Sequence, residues 1–433
     1  KIDHYYDYFN QFQKSDRAEL NRKIIQMVSR YYADAPVKIE GCNMLNEERD
    51  GEFVWLLQEE AGLDFIMGTS KAVVCHLTGL RSVAWKSKLS TPGLIFLDAQ
   101  GHFGVVGSFS ALDTAMYTTC LDNEDFYFFD ASGRFGVALN YHDALCYTLR
   151  HLGFTKGKIG CELSSGIHLH MDLSMFNTLK KDFPDLEFVD ASDAIWDILA
   201  EKSEAQIANL RFADEINQSA VRKGMEILKP GFTTEMELYK ETAKAGYLCG
   251  SEHFTYMSVL AGVERALCAD CPASEGVVIS AEPGTTVRIE GGAIRRELNA
   301  PFTANIVVGG VQPNQEEAWK LASDMIEGAM AAVKPGAIAC DVAAAMDACA
   351  AQQGKASWVA RPGFAGSGIG WGRADGPLLS RDCKTVLRAG MVLTIIAAVR
   401  DASVGELVLR QNVIVTDDGC MFLREKTYDP LVV

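Results

Sequence analysis

Glu290 closes the apolar run Val287-Arg-Ile-Glu290 just before Gly291-Gly292. A carboxylate there can act as a nucleophile or general base where water is partly excluded, or it can sit paired with Arg288 or Arg295. Cys271 belongs to Cys268-Ala-Asp-Cys271, a spacing open to half a zinc knuckle, a redox pair or two ordinary thiols. As a thiolate, Cys271 would need a cation, and Arg265 is near in sequence. His253, in Gly250-Ser-Glu-His253-Phe, suits a proton shuttle near neutral pH, or a structural histidine. Arg295-Arg296 beside Glu297 reads as an anion-facing pair or a solvated turn.

The elements that must position these residues fall into two parts. Residues 1–202 alternate strand-like and helical stretches, as expected of an α/β domain; Gly93-Leu-Ile-Phe-Leu and Tyr141 to Leu152 are examples. From Ser203 a helical stretch runs to Leu228 and stops at Lys229-Pro230-Gly231. A second, Glu316 to Val333, stops in the same way at Lys334-Pro335-Gly336, and each stop precedes another helix. Residues 203–433 therefore read as a duplicated domain whose halves share a cleft. Its strands are expected at Thr285–Glu290, Ala304–Val308, Met391–Ala397 and Leu407–Val415, ending in a turn at Asp417-Asp-Gly.

The chain has 433 residues, 48% hydrophobic and 23% charged, enough for two or three buried cores. Its formal charge of -16 disfavours nucleic acid and anionic membrane as partners and leaves a small-molecule substrate as the simpler expectation. Twelve cysteines scattered along the chain suit the reduced thiols of a cytoplasm better than a disulfide scaffold. No apolar run reaches the length of a membrane helix.

Helix-KPG-helix repeated twice, then Glu290-Gly-Gly, Gly366-Ser-Gly-Ile-Gly, Gly390-Met-Val-Leu-Thr and Val413-Ile-Val-Thr-Asp-Asp-Gly, resembles the methionine aminopeptidase, prolidase and creatinase superfamily. The resemblance implies an α/β N-terminal domain plus an α+β pita-bread C-terminal domain with an internal pseudo-twofold repeat. It also implies five metal-ligand positions, which fall here on Glu290, Pro301, Ser367, Ile396 and Gln411. Such a set cannot supply the hard, charged ligands of a dinuclear centre, and His253 is the only histidine beyond residue 200. The resemblance then points to metal-free members such as creatinase and ectoine hydrolase.

On that reading no cofactor or metal is expected, and the chain hydrolyses a C–N bond of a small, polar, carboxylate-bearing molecule. Glu290 engages substrate, Arg373 in Gly372-Arg-Ala-Asp-Gly binds its carboxylate, and Asn299, Gln411, Ser367 and Arg295 line the pocket. The role of the family histidine passes to Cys271, Asp270 or His253, or is lost. A homodimer would bring Arg81 and Trp85 to the partner's cleft. A noncatalytic pseudoenzyme that binds a peptide or protein, and a lyase acting on a small zwitterion, are the competing expectations.

Overall fold

The computed structural model describes residues 62–82, 94–98, 103–111, 114–115, 125–133, 138–164, 169–268 and 271–433. The chain divides into two compact units, Lys1–Leu199 and Ala200–Val433. Among the described residues no helix is long and apolar enough to cross a membrane.

In the first unit six strands form one mixed sheet in the order β4-β3-β2-β1-β5-β6. They are β1 (Phe65–Gly68), β2 (Leu94–Asp98), β3 (Phe103–Ser108), β4 (Phe126–Phe129), β5 (Gly157–Cys161) and β6 (Leu186–Asp190). Among the described residues the sheet is accompanied by helices α1 (Lys71–Thr78), α2 (Tyr141–His151), α3 (Leu173–Asp182) and α4 (Ser192–Ala200). Each of the first three begins at a side-chain cap: Ser70, Asn140 and Asp172 accept the backbone N–H three residues on. Helices α2 and α3 bury Leu145, Leu149, Phe176 and Leu179 against Phe65, Val106 and Ile159 of the sheet.

The second unit repeats itself. Helix α5 (Glu204–Ile227) starts at a Ser203–Gln206 capping box and α6 (Glu235–Leu248) at a Thr234–Glu237 box. Helices α7 (Glu316–Ala332) and α8 (Ala339–Gln352) form the second pair. Both long helices end alike: Leu228 and Val333 turn extended, with φ/ψ of -68/113 and -79/111, and each donates its N–H three residues back. Proline then forbids continuation, and Gly231 and Gly336 take φ of 83 and 81. The next helix in each half is tied to a passing segment, Gly231 N to Ile279 O at 2.7 Å and Gly336 N to Leu387 O at 2.9 Å.

Beneath α5 and α6 lies a four-stranded sheet, β15-β9-β8-β7, made of β7 (Phe254–Ala261), β8 (Thr286–Arg295), β9 (Leu298–Val307) and β15 (Leu431–Val432). Beneath α7 and α8 lies a five-stranded sheet, β11-β10-β12-β13-β14. Its strands are β10 (Phe364–Gly368), β11 (Asp375–Ser380), β12 (Val392–Asp401), β13 (Gly405–Val415) and β14 (Cys420–Phe422). This is the two-domain α/β architecture with a pita-bread second domain that the motifs imply. The strands of the second unit run longer than the apolar runs suggest, because β8 and β9 continue to a two-residue hairpin. Arg296 and Glu297 both take positive φ there, 48 and 66, the geometry whose twist matches paired strands. The Glu252 carboxylate accepts both turn N–H groups, at 2.8 and 3.3 Å.

Gly366 has φ of 135, and a Cβ on it would collide with the Thr394 carbonyl of the paired strand. Gly366→Ala is therefore expected to cost about 3 kcal/mol or more. Urea unfolding of the full chain checks this, and a loss below roughly 1 kcal/mol would show that β10 has slack.

Candidate functional site

Strand alternation sorts the side chains of both sheets. Leu393, Ile395, Ala397 and Val399 of β12, with Leu407, Leu409 and Val413 of β13, enter the core under α7 and α8. Thr394, Ile396 and Ala398, with Val408, Arg410 and Asn412, are therefore left on the opposite face. In the other sheet Val287, Ile289, Phe302 and Ile306 enter the core with α5 and α6, leaving Arg288, Glu290, Pro301, Thr303 and Asn305 opposite. In-register pairing puts Glu290 against Thr303 and Ser367 against Thr394.

The two sheets meet along β9 and β13, joined there by side chains. Asn305 Nδ2 donates to Val408 O at 2.9 Å, Arg410 Nε to Thr303 Oγ1 at 3.1 Å, and Asn412 Nδ2 to Pro301 O at 2.8 Å. Arg410 Nη1 also donates to Thr394 Oγ1 at 3.2 Å. Arg410 is only 7% exposed, and among the described residues it has no carboxylate partner. A cavity of about 320 Å³ reaches this seam, walled in part by Asp214 and Gln218 of α5 and by Thr303, Arg410, Asn412 and Thr427. Burial pushes the Asp214 carboxyl up to about 6, against nearby Arg424 and a hydrogen bond from Asn412.

The residues singled out in the sequence are dispersed. Glu290 is buried and ion-paired to Arg288, Nε to Oε1 at 3.2 Å. Ser367 is buried, with Oγ donating to Gly368 O. Asn299 is fully buried and serves the loop after β10: its N donates to Gly370 O and its Nδ2 to Gly372 O, both at 2.6 Å. That loop carries Arg373, whose guanidinium lies 4.4 Å from the centre of the Tyr256 ring.

His253 leads into β7, where its carbonyl accepts from Ser251 Oγ and Ile294 N. Cys271 does meet Arg265, Nη1 to Sγ at 3.1 Å, but that guanidinium is already committed to the fully buried Glu235 at 2.7 Å. Arg295 stacks over Phe212 at 5.1 Å at the hairpin end. Arg81 follows α1 in the first unit, and Trp85 lies outside the described residues.

Gln411 is moved off the site. It shares the parity of Leu409 and Val413, and its amide serves the C-terminal segment, donating to Glu425 O at 3.0 Å and accepting from Thr427 N at 2.9 Å. Arg410, opposite Ile396 in the ladder, holds the position that the sequence reading gave to Gln411. Arg410 and Asn412 were legible by counting strand parity back from Thr416-Asp-Asp-Gly, which keeps Ile396 and its neighbour on one face.

The donors present decide whether a dinuclear metal centre fits this floor. The five positions hold Glu290, Pro301, Ser367, Ile396 and Arg410: one carboxylate already paired with Arg288, no imidazole, and a guanidinium among them. That set does not fit two divalent cations.

Residues 208–417 match the family described as Metallopeptidase family M24. An Xaa-Pro dipeptidase of Pyrococcus horikoshii is 28% identical over 259 residues, spanning 59% of this chain and 71% of the relative. The Xaa-Pro dipeptidase of Pyrococcus furiosus is 27% identical over 257 residues, with the same two shares. Among solved structures, the prolidase from Pyrococcus horikoshii OT3 superposes with a TM-score of 0.72 at 21% identity, over 88% of this chain and 100% of that one. The X-Pro aminopeptidase from Thermotoga maritima gives 0.73 at 19%, over 89% and 99%.

These relatives correct the expectation of a creatinase- or ectoine-hydrolase-like, metal-independent C–N hydrolase. The enzymes that align carry peptidase names, and replaced ligand positions do not by themselves change a substrate class. The hydrolase class survives the correction, and the second unit resembles, over residues 208–417, the peptidases of the M24 family.

Proposed function

We propose that the second unit acts on short peptides and that Arg410 receives the free carboxylate of the peptide. The observation that carries this is a buried guanidinium held by two neutral hydroxyls, with no acidic partner among the described residues, on the wall of a cavity of about 320 Å³. A planar fork of N–H donors matches a carboxylate, and the cavity is at the small end of the usual ligand range. The dipeptidase names of the relatives support the substrate class.

Glu290 faces Thr303 across the ladder, but its carboxylate is held by Arg288 and does not wall the cavity, so the charge offered to the peptide is that of Arg410. Asn299 and Arg373 act here as positioning residues, fixing the loop after β10 through its carbonyls and the Tyr256 ring.

Two outcomes are expected. Wild-type protein should bind or cleave a dipeptide roughly 10- to 100-fold better than its C-terminal amide, the value of one charge-assisted bond, and Arg410→Leu should abolish that preference. Calorimetry with both peptides, alongside mass-spectrometric detection of products, measures it. Equal handling of acid and amide by the wild type would sink the assignment.

The second outcome concerns pH. Ionised Asp214 repels a carboxylate in the same cavity, so affinity should rise severalfold between about pH 8 and about pH 5, as Asp214 protonates through its raised value of about 6. The sign for stability is the same. Burial disfavours the charged form, so the fold gains stability as pH falls through about 6 toward the ordinary carboxyl range, by about 3 kcal/mol in all. Asp214→Asn should flatten both profiles, read by calorimetry and by urea melts. A profile unchanged in the variant would remove Asp214 from the account.

A further inference from the structure

The first unit contains a convergence of side chains that the peptide-binding reading does not use. His142 and Cys146 lie four residues apart near the start of α2, so they project from one face of that helix. Asp182 is the last residue of α3, which packs beside α2 on the same sheet. Across this helix pair His142 Nε2 lies 2.8 Å from Asp182 Oδ2, Cys146 Sγ lies 3.4 Å from His142 Nε2, and Sγ lies 3.8 Å from Asp182 Oδ2. Three electron-pair donors of three kinds thus meet at one point, with all ligand atoms within 4.8 Å of one another.

We propose that His142, Cys146 and Asp182 form a binding site for a divalent ion of the zinc class, with the fourth position open to solvent. The argument is metrical. Bond lengths of about 2.0–2.1 Å to nitrogen, 2.3 Å to sulfur and 2.0–2.2 Å to carboxylate oxygen make the edges of a tetrahedron about 3.4–3.6 Å long. The two sulfur edges, at 3.4 and 3.8 Å, bracket this range. Only the His142–Asp182 edge is short, as expected of a direct hydrogen bond, and it needs to open by roughly 0.6 Å for tetrahedral bonding.

The donors have the right softness: imidazole and thiolate favour zinc over calcium or magnesium, and one carboxylate balances the charge. The setting suits an ion as well. Cys146 is buried at the helix interface, the side chains of His142 and Asp182 are 23% and 39% exposed, and the C-terminus of α3 presents the negative end of its dipole. Binding releases the thiol proton to solvent, and the ion staples α2 to α3. The site lies in the first unit, so its test does not depend on the peptide reading.

The experiment is metal titration of the full chain after chelation, read by native mass spectrometry with Zn²⁺ and by absorption with Co²⁺. Wild-type protein should take up one Zn²⁺ per chain and, with Co²⁺, show a thiolate-to-metal charge-transfer band. Cys146→Ser should lose the band. Asp182→Asn, at a half-exposed helix end where folding is not at stake, should keep the band but bind at least about 10-fold more weakly. Zinc should raise the melting temperature of the wild type and not that of Cys146→Ser. A wild-type chain that retains no zinc, a band that survives Cys146→Ser, or undiminished affinity in Asp182→Asn each overturns the site. Binding of the dipeptide to Arg410 is expected to be unaffected by either variant.

Discussion

The structure of the second unit turns on a seam where two sheets face each other without a backbone ladder. Strands β9 and β13 carry the inner edges of the two half-domains, and three side-chain bonds, from Asn305, Arg410 and Asn412, span them. An unladdered edge must satisfy its carbonyls by other means, and here two side-chain amides do so at Val408 and Pro301, while the Arg410 guanidinium bonds threonine hydroxyls. Everything else in the unit sets the position of that edge. The capped helices press on the outer faces, the repeated Pro-Gly stops fix their lengths, and the hairpin at Arg296 and Glu297 brings β9 back beside β8.

The seam explains why Arg410 matters physically. Burying a cation costs several kcal/mol even after the protein relaxes, and bonds to two hydroxyls return at most about 1.5–3 kcal/mol each. In the proposed function, a carboxylate arriving from outside completes the balance. The same reasoning shows why ordinary metal chemistry is ill-suited to this floor, since a fixed positive charge stands among the positions that would have to collect cations. Elsewhere the unit pairs its buried charges internally. Glu235 receives Arg265 and two backbone N–H groups, and Glu406 receives Arg361 and Arg400.

The duplication was legible because its signals are local. A Pro-Gly pair after a long amphipathic helix ends the helix whatever surrounds it, and both copies do so with nearly the same dihedrals. The site was half legible. Glu290, Ser367 and Ile396 fall on the floor as the motifs suggest, whereas Gln411 does not: in a strand a slip of one residue exchanges the faces. Arg373 and Asn299 were recognisable as neighbours of the cleft, but their partners, Tyr256 and the carbonyls after Gly370, come from segments far away in the chain. The meeting of His142 and Cys146 with Asp182 was not legible, because it depends on how two helices lie across a sheet.

Pro301 gives the seam a further property. Its carbonyl is taken by Asn412 from the neighbouring sheet, and in an extended strand the N and the C=O of one residue point to the same side. The missing N–H of Pro301 is therefore missing on the seam side, where it interrupts no pairing with β8. Had another residue stood there, β9 would present one more donor to β13 and the two edges would be closer to zipping into a continuous sheet. Proline keeps the crevice from healing. It follows that a carboxylate could not be introduced at this position as a side-chain exchange alone: Pro301→Asp would also hand the main chain a hydrogen-bond donor on the seam side, where the present architecture has none.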